Sequence, residues 1–272
     1  MTGHILVLLA AAGIAAAAPV DIPFKISRGM ILVDASMAGA GRPLNFILDS
    51  GADGSVLASG LADELGLTLT GRERVRTIHG TTHAGRAESA HIQLGSPANR
   101  IRFSPSPLVI NLARESRALG TRIDGLLGAD FFHGRMVKID FKRSCIHLSP
   151  HGKPARRATR LPLLRRQGAM FVGLKAAGLP LSRVRLDTGC SRSLCWSPPD
   201  GSSLRGFWRD GKTMKVEVHF GSLALSGIPT DVYRRPLFPG EDGLLGTGLL
   251  RQFDSIWIDS VGKEIAFESP GN

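Results

Sequence analysis

The sequence predicts an all-β protein built from two similar lobes. Three observations carry that reading. One series of signals occurs twice in the same order, and most of the chain between the copies reads as short β-branched or alternating runs. In addition, 272 residues suffice for two lobes, each with a core of its own. Apolar residues make up 43% of the chain and charged residues 21%, a balance that excludes a mostly disordered protein.

The chain begins with an apolar, Ala-rich stretch that reads as a signal peptide over residues 1–18. It is shorter than the roughly 20 residues of a spanning helix. No Lys or Arg precedes the apolar run, and Pro19 disfavours cleavage directly before it, so cleavage is expected near Ala17. Export to a periplasmic or extracellular space follows as the expectation, with an uncleaved membrane tether as the alternative.

The first lobe is read as 19–150. It carries Gly29-Met-Ile-Leu-Val, then Phe46-Ile-Leu-Asp49-Ser50-Gly51, then Asp124-Gly-Leu-Leu-Gly128, and closes with Val137-Lys-Ile-Asp-Phe. The second lobe, 168–272, answers with Gly168-Ala-Met-Phe-Val, Val184-Arg-Leu-Asp187-Thr188-Gly189, Asp242-Gly-Leu-Leu-Gly246 and Ile256-Trp-Ile-Asp. Between them, 151–167 is rich in Arg and Pro and reads as a basic, solvated interlobe linker. Strands are expected over Val75 to Ile78, Glu88 to Leu94, Val137 to Phe141 and Lys215 to Phe220. Short helices are expected at Ser59 to Leu65, near Asn111 to Leu119, and after each Leu-Leu-Gly. The interval from Asp49 to Gly128 is longer than that from Asp187 to Gly246, so the first lobe carries the larger insertion.

Each Asp-Ser/Thr-Gly ends an apolar strand. There Asp reaches outward, the hydroxyl donates to neighbouring backbone, and Gly permits a tight turn. A single copy is more often an Asx-turn than a site. Two copies facing one another hold two carboxylates side by side, and like charges so close cannot both ionise. The pair then keeps one proton, with one carboxylate a general base toward water and the other a general acid toward a carbonyl. Asp49 and Asp187 are therefore the candidate catalytic dyad, assigned as a pair.

With these motifs the chain resembles the pepsin-like and retropepsin-like aspartic peptidases over nearly its whole mature length. The resemblance implies a bilobed acid-protease fold of two β-barrel-like lobes with the active site in the cleft between them. It implies peptide-bond hydrolysis by an aspartic endopeptidase with no cofactor and no metal, acting on a polypeptide substrate. It implies that Ser50, Gly51, Thr188 and Gly189 support the catalytic loops, and that each Leu-Leu-Gly threads beside one. It also implies a β-hairpin flap, best matched by Ile78 to Gly85 with His79, Gly80 and Thr81 at its tip. A second candidate, Gly206 to Gly211 with Trp208, lies at the equivalent place in lobe two. The chain lacks a flap tyrosine, since its one tyrosine is Tyr233, and shows no long propeptide. Ala52 and Cys190 stand where pepsins place Ser or Thr. Losing a hydroxyl donor there raises the dyad's pKa values and predicts a less acid optimum than pepsin has.

The remaining signals are weaker. Cys190 and Cys195 are either a local disulfide or a packed, reduced pair, and Cys145 reads as a small buried residue. His79 and His83 share a face but have no carboxylate or Cys ligand nearby in sequence. A net charge of +11 invites nucleic acid, yet the basic residues are scattered and lack interleaved aromatics, so no nucleic acid is expected. Two catalytic turns in one chain make a monomer the default. Two rivals keep the fold and change the function: a catalytically silent peptide-binding pseudo-peptidase, or a basic protein attached to anionic polymer.

Overall fold

A computed structural model describes residues 19–77, 80–88, 90–97, 99–149, 152–197 and 212–270. The expected signal peptide, His79 and the Gly206 to Gly211 hairpin lie outside these residues. The fold is all-β, with four short helices among the described residues.

Alternation of side chains dictates the first strand, Val20–Ser27. Val20, Ile22 and Phe24 are buried while Asp21, Pro23 and Lys25 face outward. Its first half pairs with Cys145–Leu148 and its second half with Met30–Ser36, so one strand joins two sheets. The first of these sheets has six strands, in the spatial order Thr159–Pro162, Glu264–Glu268, Ser255–Asp259, Met136–Asp140, Cys145–Leu148 and Val20–Ser27. Both halves of the chain contribute, and the sheet ties them together.

Each lobe then builds its own sheet. In the first, the order is Met30–Ser36, Leu44–Leu48, Gly125–Leu127, Val56–Ala58, Leu108–Ile110, Gly80–Ala87 and Leu69–Thr77. A further hairpin, Ile92–Ser96 with Asn99–Phe103, pairs onto Met30–Ser36. In the second, it is Leu164–Arg166, Ala169–Ala176, Leu179–Asp187, Gly243–Gly246, Leu194–Trp196, Leu223–Val232 and Lys212–Phe220. Pairing of Ala169–Ala176 with Lys212–Phe220 closes that sheet into a barrel and leaves no free edge between those two strands.

The sequence repeat is a structural repeat. In each lobe the strand leading to the Asp-Ser/Thr-Gly turn runs parallel to the Leu-Leu-Gly strand, pairing Leu48 with Leu127 and Asp187 with Gly246. The strand after the turn runs antiparallel to the same Leu-Leu segment in both lobes. Short helices follow at Ala129–Phe132 and Thr247–Leu250, and Ser59–Glu64 and Ala113–Leu119 form where expected. The core is continuous across the halves. The Phe220 ring of the barrel lies 4.9 Å from Phe267 of the six-stranded sheet, which lies 4.9 Å from Phe253.

The segment read as a solvated linker is a correction. Thr159–Pro162 closes one edge of the six-stranded sheet against Glu264–Glu268, and Leu164–Arg166 begins the second-lobe hairpin. Leu161 and Leu163 are buried there. Arg and Pro dominate the local signal, but pairing with a strand some hundred residues on decides the conformation.

Candidate active site

Asp124 and Asp242 open the two Leu-Leu-Gly segments and explain how each aspartate-bearing strand is set. Asp124, fully buried, accepts from the Asn45 backbone N–H at 2.9 Å, and its own N–H donates to Asn45 O at 2.9 Å. Asp242 repeats this, accepting from the Ser182 and Arg183 N–H groups at 2.8 and 2.9 Å while donating to Arg183 O. Each strand is thereby fixed four to five residues before its aspartate, at Asn45 and at Ser182 and Arg183, and the strands deliver Asp49 and Asp187 to their turns. Beneath the turns the backbones pass very closely. A Cβ on Gly128 would lie 2.2 Å from Gly54 C, and one on Gly246 would lie 2.2 Å from Arg192 O, so only glycine fits.

The two turns interlock through their hydroxyls. Thr188 Oγ1 accepts from Ser50 N–H at 2.9 Å and donates to Leu48 O at 2.7 Å. Ser50 Oγ accepts from Thr188 N–H at 3.0 Å and donates to Leu186 O at 2.8 Å. Both side chains are fully buried, so these bonds satisfy polar groups that water cannot reach.

The supporting glycines are fitted to the opposite lobe. A Cβ on Gly51 would lie 2.4 Å from Asp187 Cγ, and one on Gly189 would lie 2.3 Å from Asp49 Cγ. Each carboxyl group therefore packs over the other lobe's glycine, which brings the two aspartates together across the lobe boundary. Gly29 and Gly168, at positive φ in the turns that open the two halves, repeat the reciprocity. Gly29 abuts Ser191 just after the second Asp-Thr-Gly turn, and Gly168 abuts Asp53 just after the first Asp-Ser-Gly turn.

Burial raises the pKa of Asp49, partly offset by N–H groups of Ala52 and Gly51 donating to Oδ1 at 3.1 and 3.0 Å. Asp187 is raised further, first by burial and then by the charge of Asp49. Both shifts favour retention of a shared proton.

Arg185 is a functional residue that the sequence reading missed. It precedes Asp187 by two in the second-lobe strand, where the first lobe has Ile47, and it is 7% exposed. Its guanidinium donates to Gly51 O at 2.7 Å and Asp53 Oδ1 at 2.8 Å, across the lobe boundary. It also pairs with both oxygens of Glu241, the Nε bond being 2.9 Å, and lies against the Phe171 and Phe238 rings. A charged residue inside an otherwise apolar Val-x-Leu-Asp run was the available signal.

The flap candidate is a pair of antiparallel strands, Leu69–Thr77 with Gly80–Ala87, and Gly80, with φ 117°, pairs with Thr77 at their end. Cross-strand partners share a face. Val75, Thr77, Thr82 and Ala84 lie on the face that includes buried Ala84, whereas Thr81 lies with Arg74, Arg76 and His83 on the exposed face. Cys190, Cys195 and Cys145 are free thiols, and no disulfide joins the loop pair in this structure.

Residues 33–131 match the model of a family described as aspartyl protease. Together with the paired turns, that match decides the architecture. This is an aspartic-protease fold. No curated protein matches the chain in sequence. Among solved structures, the basic 7S globulin from soybean has a similar fold, with a TM-score of 0.61 at 10% identity, over 92% of this chain and 96% of that one. Conglutin gamma, a basic 7S globulin from lupine seeds, gives a TM-score of 0.58 at 11% identity, over 93% and 95%.

Proposed function

We propose that the chain is an aspartic endopeptidase that hydrolyses polypeptides with a water activated by Asp49 and Asp187. The observation that carries this reading is the reciprocal seating of the two carboxyls, each over the other lobe's glycine. A water seated between them loses a proton to the ionised carboxylate as its oxygen attacks the scissile carbonyl. The protonated carboxyl gives its proton to the carbonyl oxygen, and on collapse of the gem-diol adduct the carboxyl that took the water proton passes it to the departing nitrogen while the other carboxylate takes back a hydroxyl proton, which releases the amine and the acid and restores the shared proton. Ser50, Thr188 and Arg185 hold the turns in position, and the hairpin around Gly80 is the proposed flap over the substrate. Both carboxyls come from one chain, which supports a monomer. The apolar, Ala-rich start of the sequence supports export; no described helix is long and apolar enough to cross a membrane.

One observation favours a second reading, a peptide-binding protein with a silent dyad: two chains of this fold are named as globulins. Cleavage of an unfolded protein across a pH series, by the chain from Pro19 onward beside Asp187→Ala, separates the two. The peptidase reading expects fragments from the wild type alone. Binding of the unfolded chain without fragments, equal in both proteins, would favour the globulin-like reading.

A further inference from the structure

The outer face of the six-stranded sheet gathers three side chains of mixed donor chemistry. Asp21 stands directly opposite His147 in the register of Val20–Ser27 against Cys145–Leu148. Cys145 lies two residues before His147 and so on the same face. One ligand atom from each residue, a carboxylate oxygen, a ring nitrogen and a sulfur, lies within 4.8 Å of the other two. His147 Nδ1 is 2.7 Å from Asp21 Oδ1. The other ring nitrogen, Nε2, is buried without a hydrogen-bond partner and faces Asp140 Oδ2 at 3.9 Å.

We propose that Asp21, Cys145 and His147 form a binding site for a divalent d-block cation, zinc fitting the set best. Oxygen, nitrogen and sulfur together match a borderline-soft ion, and bond lengths of about 2.0–2.3 Å put neighbouring donors about 3.3–3.7 Å apart in a tetrahedron. Small side-chain rotations therefore close the cluster on an ion, with water as the fourth ligand. Buried Asp140 supplies what a metal-bound imidazole requires, a carboxylate facing the ring nitrogen that does not bind the metal. Its own position is fixed by the Arg143 N–H at 2.8 Å and by Lys138, whose charge is shared with Glu268. Binding displaces the thiol proton of Cys145 to solvent, so that a thiolate meets the metal. The ion would clamp the first strand of the fold to Cys145–Leu148, in a sheet that holds none of the dyad residues.

Cobalt(II) is the probe, because a thiolate ligand gives a sulfur-to-cobalt charge-transfer band. Titration of the purified protein should give a saturable band at one equivalent that zinc chloride abolishes by competition. Cys145→Ser should lose the band, and the Cys190→Ser/Cys195→Ser double variant should keep it. Asp21 is largely exposed, so Asp21→Asn keeps the fold and should weaken cobalt by at least ~10-fold, with Asp140→Asn weakening it by about 10–100-fold. Zinc should raise the melting temperature of the wild type and not of Cys145→Ser. No saturable band, a band that survives Cys145→Ser, or affinity unchanged in Asp21→Asn would overturn the site.

Discussion

At the residue scale, the dyad carries its own signature in stability. Burial, and for Asp187 also the neighbouring charge, holds both folded pKa values above the ordinary aspartate value. A carboxyl whose folded pKa is raised folds preferentially in its protonated form. Its contribution is complete below the unfolded value of about 4 and is lost as pH rises through the raised folded value. Asp187→Asn removes that loss, so it should melt higher than the wild type near neutral pH. The advantage should vanish in acid, and thermal scans at both ends of the range check it. Ala52 gives Asp49 a backbone donor but no hydroxyl. Ala52→Ser adds a donor to the ionised carboxylate, lowers its pKa and should move the pH–rate profile toward acid. Gly51→Ala places a methyl on Asp187 and should cut kcat by about 100-fold, since an ångström of misplacement costs that much.

At the scale of elements, two devices hold the turns together. Thr188→Val keeps the shape but leaves the Ser50 N–H buried without an acceptor, a cost of about 1–3 kcal/mol that chemical denaturation would read. Arg185→Met leaves Glu241 without its guanidinium and unties Gly51 from the second lobe. A buried pair broken on one side costs about 3–5 kcal/mol, so a folded variant should show both lower stability and lower kcat. Sequence legibility differs sharply between these parts. Asp49, Ser50, Thr188 and Asp187 announce themselves because their turns are local motifs, written twice. Arg185 does not, because Asp53 and Gly51 are brought to it only by the fold. Thr159–Pro162 was hidden for a related reason: its partner strand is remote, while its own residues resemble a loop. Thr81 was assigned to the flap tip from the family resemblance, and only the strand register places it on the exposed face.

For the whole molecule, the two halves depend on one another. The six-stranded sheet takes strands from both, and the Phe220, Phe253 and Phe267 cluster packs the barrel against it. Phe220→Ala should cost about 3–5 kcal/mol and lower a single cooperative transition, rather than melt the second lobe alone. The architecture was legible because the repeat dictates it. The Asp21, Cys145 and His147 cluster was not, because its donors are separated by most of the first lobe and meet only through strand pairing. The most direct test of the account compares kcat/KM on one unfolded protein, across pH, for the wild type, Asp49→Asn and Asp187→Asn. A shared-proton dyad predicts a bell-shaped wild-type profile and a loss of at least ~10²-fold in each variant. Wild-type rates in either variant would contradict it.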